Sequence, residues 1–330
     1  MLNVVHFQRR RAGHTYSIEA EFEAIRDELA RRSDLTVDVV TCRFSNKGLP
    51  RWALNSAAAA RRQGDVNHIT GDVHYLTWAL RPNRTVLTVH DCGYEQRLTG
   101  LRRSAAGRAT LVGPVRRVAA VTAPSSFTRD RIVELAGVAA DRVEVVPLCI
   151  SPVFRRVPGH FNDEFPRILH VGTLPNKNIE RLVAALEDLK CTLHVVGRLS
   201  SEQRSVLSRS YVHWINTFDL SAAELLNAYA SADLVSFASL YEGFGMPILE
   251  AQTVGRPVVT SNAASMPETA GGAACLVDPL SVESMRNGIR LVIEDVAYRD
   301  ELVEKGFENV KRFSASRAAD AFAAIYDRVG

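Results

Sequence analysis

Short continuous runs of apolar residues alternate with longer stretches of helical spacing along the whole chain. Apolar runs of about four to eight residues are typical of strands that are buried on both faces. In the first half the predicted strands are 2–7, 37–42, 65–70, 85–91, 120–125 and 143–148. In the second half they are 167–172, 192–197, 212–216, 234–238, 257–261 and 274–279. This alternation predicts parallel sheets with helices on both faces.

The stretches between the strands show the helical period. In "SIEAEFEAIRDELARRS" the apolar residues recur at helical spacing, and "NIERLVAALEDL" and "SAAELLNAYASA" are further helices. Residues 151–167 contain three prolines and no clean period, so they are the linker candidate. The sequence therefore predicts an α/β protein of two doubly wound, Rossmann-like domains. Residues 1–155 form the first domain and 156–312 the second, and residues 313–330 form a last helix that packs back toward the first domain.

Composition agrees with an ordinary globular protein, since 46% of the 330 residues are apolar and 23% are charged. The charge is uneven: residues 1–150 hold 22 Lys+Arg against 15 Asp+Glu, net +7, whereas the rest is net −4. Such asymmetry suggests that the first half meets something anionic. The N-terminal basic cluster follows the apolar run, the wrong order for a secretory signal, and no apolar run is long enough to span a membrane. We therefore expect a cytoplasmic protein.

The cysteines and histidines do not show a metal-binding pattern. Five cysteines, far apart and mostly within apolar runs, indicate reduced core residues, with neither a disulfide framework nor zinc spacing. The nine histidines form no H-x-x-x-H or H-E-x-x-H pattern. We therefore expect neither a metal nor a cofactor.

The stretch "YEGFGMPILEAQTVGRPVV" carries the strongest candidate chemistry. It follows a predicted strand, and Pro247 suits the first position of a helix, which puts Glu250 in the first helical turn and leaves Glu242 in the loop. Gly243 and Gly245 permit positive φ and a close approach of backbone to a ligand. A helix N-terminus is a favourable seat for a phosphate, and the ligand crevice of a parallel sheet lies at the carboxyl ends of its strands. The stretch therefore predicts a diphosphate site flanked by two carboxylates that accept hydrogen bonds from hydroxyls.

The stretch E-G-F-G-M-P-x-x-E, with "AQTVGRPVVTSNAASMPETAGGAACLVDP" after it, resembles the donor-binding signature of the retaining glycosyltransferases of family four, which have the GT-B fold. A weaker likeness extends through "VGTLPNKNIERLVAAL", "VPLCISPVF", "APSSFTRDRIVEL" and "LTVHDCGYE". The resemblance implies two domains that face each other across a cleft, with a nucleotide-sugar donor on the second domain. It implies that Glu250 holds ribose hydroxyls and Glu242 the hydroxyls of the donor sugar. Three residues, Phe244, Gly245 and Met246, would line the sugar and phosphate.

A cation for the diphosphate is expected at neighbouring strand ends. Lys177 matches the family's Arg or Lys, but the family's frequent additional arginine is absent, since the positions read Thr173 and Asn176. Arg198, after the next strand, would supply that charge. A solvated cation is the alternative for both Lys177 and Arg198.

The first domain offers weaker candidates. His90 and Asp91 end a predicted strand, and the resemblance suggests that His90 contacts the donor sugar or acceptor; local pairing with Asp91 is the alternative. The loop with Gly13 and His14, basic at residues 9–11, should face the cleft and the donor phosphate. Acceptor contacts are also expected from His68, Asp72 and His74 near a strand end.

The stretch from Arg97 to Arg117 carries six arginines and no acid. It suggests a surface for a lipid-linked diphosphate or an anionic membrane face, with a solvated basic helix as the alternative. No aromatic residues interleave the arginines, so we do not expect a nucleic-acid partner.

The predicted function is metal-independent transfer of a sugar from a nucleotide-sugar to an acceptor hydroxyl, in bacterial glycan, polysaccharide or glycolipid synthesis. Retention of the anomeric configuration is implied by the resemblance alone. The acceptor would be a glycan, a lipid-linked molecule or a small molecule. Two alternatives stay open: a nucleotide-sugar epimerase of similar fold and a non-catalytic sugar-nucleotide-binding protein.

Overall fold

The computed structural model describes residues 1–10, 17–46, 48–93 and 107–330. The chain forms two compact units, one of residues 1–151 with 313–330 and one of residues 152–312. The first of the two segments that form the first unit therefore ends at Ser151, four residues before the predicted boundary. Each unit contains one six-stranded parallel sheet, so the predicted α/β class is confirmed.

The sheet of the first unit has the strand order β2-β1-β3-β4-β5-β6, with every neighbouring pair parallel. Its strands are β1 (Leu2–Gln8), β2 (Leu35–Thr41), β3 (Val66–Ile69), β4 (Thr85–Thr88), β5 (Ala120–Ala123) and β6 (Val143–Val145). Successive residues of β1 enter different apolar clusters, with Val5 and Phe7 in one and Val4 in the other. The alternation follows from the two-residue period of a strand, and it shows that both faces of the sheet are covered.

The sheet of the second unit has the order β12-β11-β10-β7-β8-β9. Its strands are β7 (Arg167–Val171), β8 (Thr192–Val196), β9 (His213–Thr217), β10 (Leu234–Phe237), β11 (Val258–Ser261) and β12 (Cys275–Val277). The chain builds outward from β7 on one side and from β10 on the other. Between these two strands the direction of building reverses, which is the topological switch point of a Rossmann sheet.

Helices connect the strands in both units. In chain order they are α1 (Ser17–Leu29), α2 (Leu49–Ala60), α3 (Gly113–Arg117), α4 (Ser126–Ala136), α5 (Ile179–Leu186), α6 (Ser201–Arg209), α7 (Ala222–Ala230), α8 (Met246–Val254), α9 (Met266–Ala270), α10 (Val282–Glu294), α11 (Val296–Asn309) and α12 (Ala315–Val329). Short 3-10 helices occur at His74–Trp78, Pro82–Arg84, Ala140–Arg142, Pro175–Lys177 and Val310–Arg312, and a π-helical turn at Arg108–Val112. Within the described ranges, no helix is both long and apolar enough to cross a bilayer.

The last helix, α12, belongs to the first unit, where it packs beside α1. Its Tyr326 is fully buried, and the phenol oxygen lies 2.9 Å from His6 Nε2 and 2.6 Å from His68 Nδ1. The other ring nitrogen of His68 contacts Thr88 Oγ1 at 2.7 Å. Burial lowers the pKa of His6 to about 3 and that of His68 well below its usual value, so both rings are neutral. One tyrosine hydroxyl thus joins α12 to β1 and β3.

Removal of this hydroxyl should destabilise the first unit. Tyr326→Phe leaves polar nitrogens of His6 and His68 buried without their partner, which costs about 1–3 kcal/mol. Calorimetric unfolding of the whole chain should show the lowered transition. Tyr211→Phe is the control, because Tyr211 is 95% exposed. Equal melting temperatures for both variants would contradict the role assigned to Tyr326.

Candidate functional site

The loops after β7 and β10 meet at the switch point of the second sheet. They are joined by main-chain and side-chain hydrogen bonds: Leu240 N donates to Asn176 O at 2.8 Å, and Asn176 Nδ2 donates to Tyr241 O at 2.9 Å. The two loops begin on neighbouring strands, so their contacts follow directly from the strand order. Ligands of open parallel sheets bind at such a point.

Two residues predicted for the site, Lys177 and Glu242, lie in contact across these loops. Lys177 Nζ is 2.7 Å from Glu242 Oε1, and Asn176 Nδ2 donates to the same oxygen at 3.1 Å. The side chains are 15% and 16% exposed, so the pair is shielded from bulk water without being sealed off. Asn176, which stands where the family often has arginine, therefore orients the glutamate.

The path of the Lys177 side chain is fixed by Gly172 and Phe237. Gly172 has a φ of 100°, and a Cβ added there would lie 2.7 Å from Lys177 Cε. The ammonium lies 4.5 Å from the centre of the Phe237 ring, within cation–π range. The lysine thus passes over bare backbone at the end of β7 and reaches Glu242.

Two hydroxyl groups hold the Glu242 loop from the side of α9. Ser265 Oγ donates to the carbonyls of Glu242 and Phe244, both at 2.9 Å, and Thr269 Oγ1 donates to the Phe244 carbonyl at 2.6 Å. Sequence reasoning missed both residues, although they stand in the quoted stretch "SNAASMPETAGG". The two hydroxyls satisfy buried carbonyls and fix the loop at the start of α8.

The structure refines two details of this loop, the φ angle of Gly243 and the start of the helix. Gly245 has a positive φ, 105°, but Gly243 does not, so only one glycine is required by the backbone. Phe244 is 6% exposed, so most of its ring packs into the domain, and its place beside the sugar and phosphate stays a prediction. The helix α8 begins at Met246, not at Pro247.

Glu250 is the fifth residue of α8, one residue further along than predicted. It is 8% exposed, and its Oε2 accepts a hydrogen bond of 2.5 Å from Tyr229. Burial raises the pKa of Glu250 to about 7, against the opposing effects of the Tyr229 hydroxyl and the positive charge of Lys177. A carboxylate of this kind is half-ionised near neutral pH, which is characteristic of functional sites.

Thr173 and Arg198 form a separate corner at the ends of β7 and β8. Thr173 Oγ1 donates to the Arg198 carbonyl at 2.9 Å, while the guanidinium pairs with Asp219 and lies 4.5 Å from the ring centre of Phe218. The Arg198 side chain is 69% exposed. In the structure Arg198 pairs with Asp219, whereas Lys177 pairs with Glu242. The contact of Arg198 with a donor phosphate stays a prediction.

The structure places His90 and Asp91 just beyond β4 in the first unit. His90 is 7% exposed, and its Nε2 lies 2.9 Å from the carbonyl of Thr70. Asp91 is exposed, and its carboxylate accepts a hydrogen bond from Gly93 N at 2.7 Å. The partner of His90 is thus a backbone carbonyl, and its proposed contact with a sugar stays a prediction.

The prediction for His68 is wrong. The residue is fully buried, and both ring nitrogens contact side chains of the core, as described above. His74 Nδ1 lies 2.9 Å from the Thr110 carbonyl, and burial lowers the pKa of His74. His68 is therefore a structural residue, whereas an acceptor contact of His74 remains untested.

Most of the basic surface predicted for the first unit lies outside the described residues. Gly13 and His14 lie outside the described residues, as do Arg97, Arg102, Arg103 and the side chain of Arg108. The described arginines contact their own unit. Arg116 Nε donates to the Ala136 carbonyl, Arg117 Nε donates to the Thr77 carbonyl, and Arg9 pairs with Glu19 and Asp72. Membrane contact by this stretch stays a prediction.

A metal site finds no support in the described ranges. In those parts of the chain no three His, Cys, Asp or Glu side chains converge as ligands would. All five cysteines lie in the described ranges, where they are buried and form no disulfide.

Two parallel six-stranded sheets of this topology, with the lysine–glutamate pair at the switch point of the second, define a protein of the GT-B glycosyltransferase fold. Family models match both halves: residues 8–154 match "Glycosyltransferase Family 4", and residues 165–295 match "Glycosyl transferases group 1". The chain belongs to the family-four glycosyltransferases.

Known proteins agree with this assignment. The O-antigen chain mannosyltransferase B of Escherichia coli is 31% identical over 211 residues, 58% of this chain and 55% of that protein. The chain thus spans about half the length of this curated relative. Sucrose-phosphate synthase of Thermosynechococcus elongatus has the same fold, with a TM-score of 0.78, 17% identity and coverage of 100% and 99% of the two chains. Anabaena Alr3699/HepE, solved with UDP and glucose, also has this fold. Its TM-score is 0.77 at 19% identity, with coverage of 99% of this chain and 100% of that chain.

The raised pKa of Glu250 makes a testable statement about stability. Because its folded-state pKa, about 7, lies above the ordinary value of 4.5, this group favours folding most below pH 4.5, and that contribution is lost as the pH rises through 7. Glu250→Gln carries no charge at any pH and can still accept the Tyr229 hydrogen bond. The melting temperature of Glu250→Gln, relative to wild type, should rise by at least about 2 °C between pH 5 and pH 8.5.

The control for this comparison is Glu304→Gln, because Glu304 is exposed on α11. Its melting temperature relative to wild type should be the same at both pH values. A pH-independent difference for Glu250→Gln as well would show that the carboxylate is not destabilised by burial.

Proposed function

We propose that this protein is a retaining glycosyltransferase that moves a hexose from a nucleotide-sugar to an acceptor hydroxyl. The observation that carries the proposal is the Lys177–Glu242 contact at the switch point of the second sheet, with Glu250 behind it on α8. The family and the mannosyltransferase relative support transfer over the two alternatives.

Lys177 and the start of α8 would bind the donor diphosphate. The helix offers backbone N–H groups and the positive end of its dipole, and an ammonium has three N–H bonds, so that Lys177 can contact both Glu242 and a phosphate. Positive charge at this position would stabilise the negative charge that develops on the leaving diphosphate. The proposed mechanism uses side chains and amides and draws on no metal.

Glu250 would accept hydrogen bonds from the ribose hydroxyls, and Glu242 from hydroxyls of the donor sugar. Lys177 and Asn176 both contact Glu242 Oε1, which leaves Oε2 as the natural acceptor for a sugar hydroxyl. In the retaining mechanism the departing phosphate oxygen takes the proton of the acceptor hydroxyl on the same face of the sugar. The glutamates then bind and orient the donor; neither is a nucleophile.

Mannose is the first sugar to test, since the relative from Escherichia coli is an O-antigen mannosyltransferase. The acceptor would be a growing bacterial glycan, a lipid-linked glycan or a small molecule. Thermal-shift screening with GDP-, UDP-, ADP- and dTDP-sugars identifies the donor, and incubation with an acceptor panel then tests transfer. Isomerised donor without acceptor would favour the epimerase, and tight binding without any turnover the non-catalytic binding protein.

Substitution of the two glutamates should affect different steps, nucleotide binding for Glu250 and sugar transfer for Glu242, once the donor is known. Glu250→Gln should weaken nucleotide binding about 10-fold, as expected for the loss of one charge-assisted contact. Glu242→Gln should lower the transfer rate by about 100-fold and change nucleotide affinity little, because its partner is the sugar. Calorimetry with the nucleoside diphosphate and steady-state kinetics supply the two readouts. Wild-type turnover in both variants would sink the assigned roles.

The path of Lys177 over Gly172 can be tested with matched glycine variants. Gly172→Ala puts a Cβ 2.7 Å from Lys177 Cε and should reduce transfer by about 10–100-fold, since small displacements of catalytic groups are costly. Gly272→Ala is the control: Gly272 also has a positive φ, 77°, but an added Cβ meets nothing within 4 Å. Both variants suffer similar backbone strain, so equal activities would mean that the position of Lys177 does not matter.

A further inference from the structure

Tyr229 is the one side chain that the described structure shows donating a hydrogen bond to Glu250. It is the last residue but one of α7 and is fully buried. Its hydroxyl lies 2.5 Å from Glu250 Oε2. The ring of Tyr229 contacts that of Phe154 edge to face, with centroids 5.7 Å apart and planes at 86°. Tyr229 therefore connects the carboxylate on α8 with the segment that enters the second unit.

The entering segment is itself fixed to the second unit. Val157 N donates to the Val254 carbonyl at 3.2 Å, at the end of α8. The guanidinium of Arg256, which is 7% exposed, donates to the carbonyls of Val157 and Ala230 at 3.2 and 2.8 Å. Ala230 directly follows Tyr229, so one arginine holds the segment beside Phe154 and the end of α7 together. The tyrosine ring has little freedom to move.

We propose that Tyr229 is a positioning residue that fixes the Glu250 carboxylate for recognition of an intact ribose diol, with Phe154 holding the tyrosine ring. The inference rests on the proposed function, in which Glu250 contacts the nucleotide ribose. Tyr229 occupies one acceptor position on Oε2, and Oε1 stays available to the two ribose hydroxyls. A carboxylate without this hydrogen bond can rotate. It would then bind a deoxyribose, with one hydroxyl, about as well as a ribose, with two.

The hydrogen bond also acts on the ionisation of Glu250. It favours the charged form, as does Lys177, while burial opposes both. Among the residues that the structure describes, these two groups favour the charged form of the carboxylate. Without the Tyr229 hydroxyl, the pKa of Glu250 rises further, and nucleotide binding that needs the charged carboxylate is displaced to higher pH.

Tyr229→Phe tests the inference, with binding measured by calorimetry on the full chain. The probes are UDP beside its 2′-deoxy form and GDP beside its 2′-deoxy form, with the pair chosen by whichever ribonucleotide the wild type binds. We expect the wild type to prefer the ribonucleotide by about 10-fold or more and Tyr229→Phe by less than about 3-fold. With the corresponding nucleotide-sugar, whose diphosphate does not titrate in this range, the pH midpoint of binding should move upward.

The matched control is Tyr298→Phe, which removes a hydroxyl from another tyrosine of the second unit. That hydroxyl forms a hydrogen bond with the Cys275 side chain. It should keep both the ribose preference and the pH midpoint of the wild type. Should Tyr229→Phe fail to fold, Phe154→Leu retains the hydroxyl and releases the ring, and it should lower the ribose preference in part.

The outcomes distinguish the positioning role of Tyr229 from the proposed contact between Glu250 and the ribose. Wild-type preference and pH midpoint in Tyr229→Phe would overturn the positioning role and leave the proposed function intact. If Glu250→Gln also keeps the ribose preference, Glu250 does not contact the ribose and the proposed role of this glutamate fails. Loss of the preference in both variants, with Tyr298→Phe unchanged, supports the positioning role.

Discussion

The contact between Lys177 and Glu242 depends on the strand order of the second sheet. The two residues are separated by 65 positions in the chain and meet because β7 and β10 are neighbours from which the chain continues in opposite directions. Loops that leave adjacent strands on diverging paths enclose a crevice between them. Everything that we assign to the site follows from this arrangement: the bare backbone at Gly172, the fixed carbonyls of the Glu242 loop, and the N-terminus of α8 at the edge of the crevice.

Burial of the Glu250 carboxylate lowers the stability of the fold. A carboxylate that is 8% exposed would be easier to fold as a neutral amide, and burial accordingly raises its pKa to about 7. In the described part of the chain, the hydrogen bond from Tyr229 and the charge of Lys177 oppose this effect. A residue that destabilises the ionised protein and yet has a dedicated hydrogen-bond donor is better explained by ligand binding than by packing. Stability given up locally for function is common at such sites.

The sequence predicted the architecture well because buried parallel strands have a strong local signal. All twelve strands in the described residues overlap the apolar runs that predicted them, although several end earlier. One of these is β4, which ends at Thr88, so that His90 stands beyond it. Local pattern could not show which side chains meet. "SAAELLNAYASA" shows a helix but not that Tyr229 turns toward Glu250, since that contact depends on the packing of α7 against α8. His68 was misjudged for the same reason: its partner Tyr326 comes from α12, 258 positions away.

The charges of the site limit how a diphosphate can be held. Lys177 forms an ion pair with Glu242, and Arg198 forms one with Asp219, so both cations are already paired when no ligand is bound. A lone lysine at 15% exposure would carry a large desolvation cost, which the glutamate relieves. A donor that binds here shares the charge of Lys177 with Glu242, so the diphosphate gains less from the ammonium than it would from an unpaired lysine. In the proposed function, affinity for the nucleotide would then come largely from the α8 amides and from Glu250, whereas Lys177 would act most strongly when charge grows on the leaving phosphate. An interaction that strengthens toward the transition state speeds the reaction without tightening the ground-state complex.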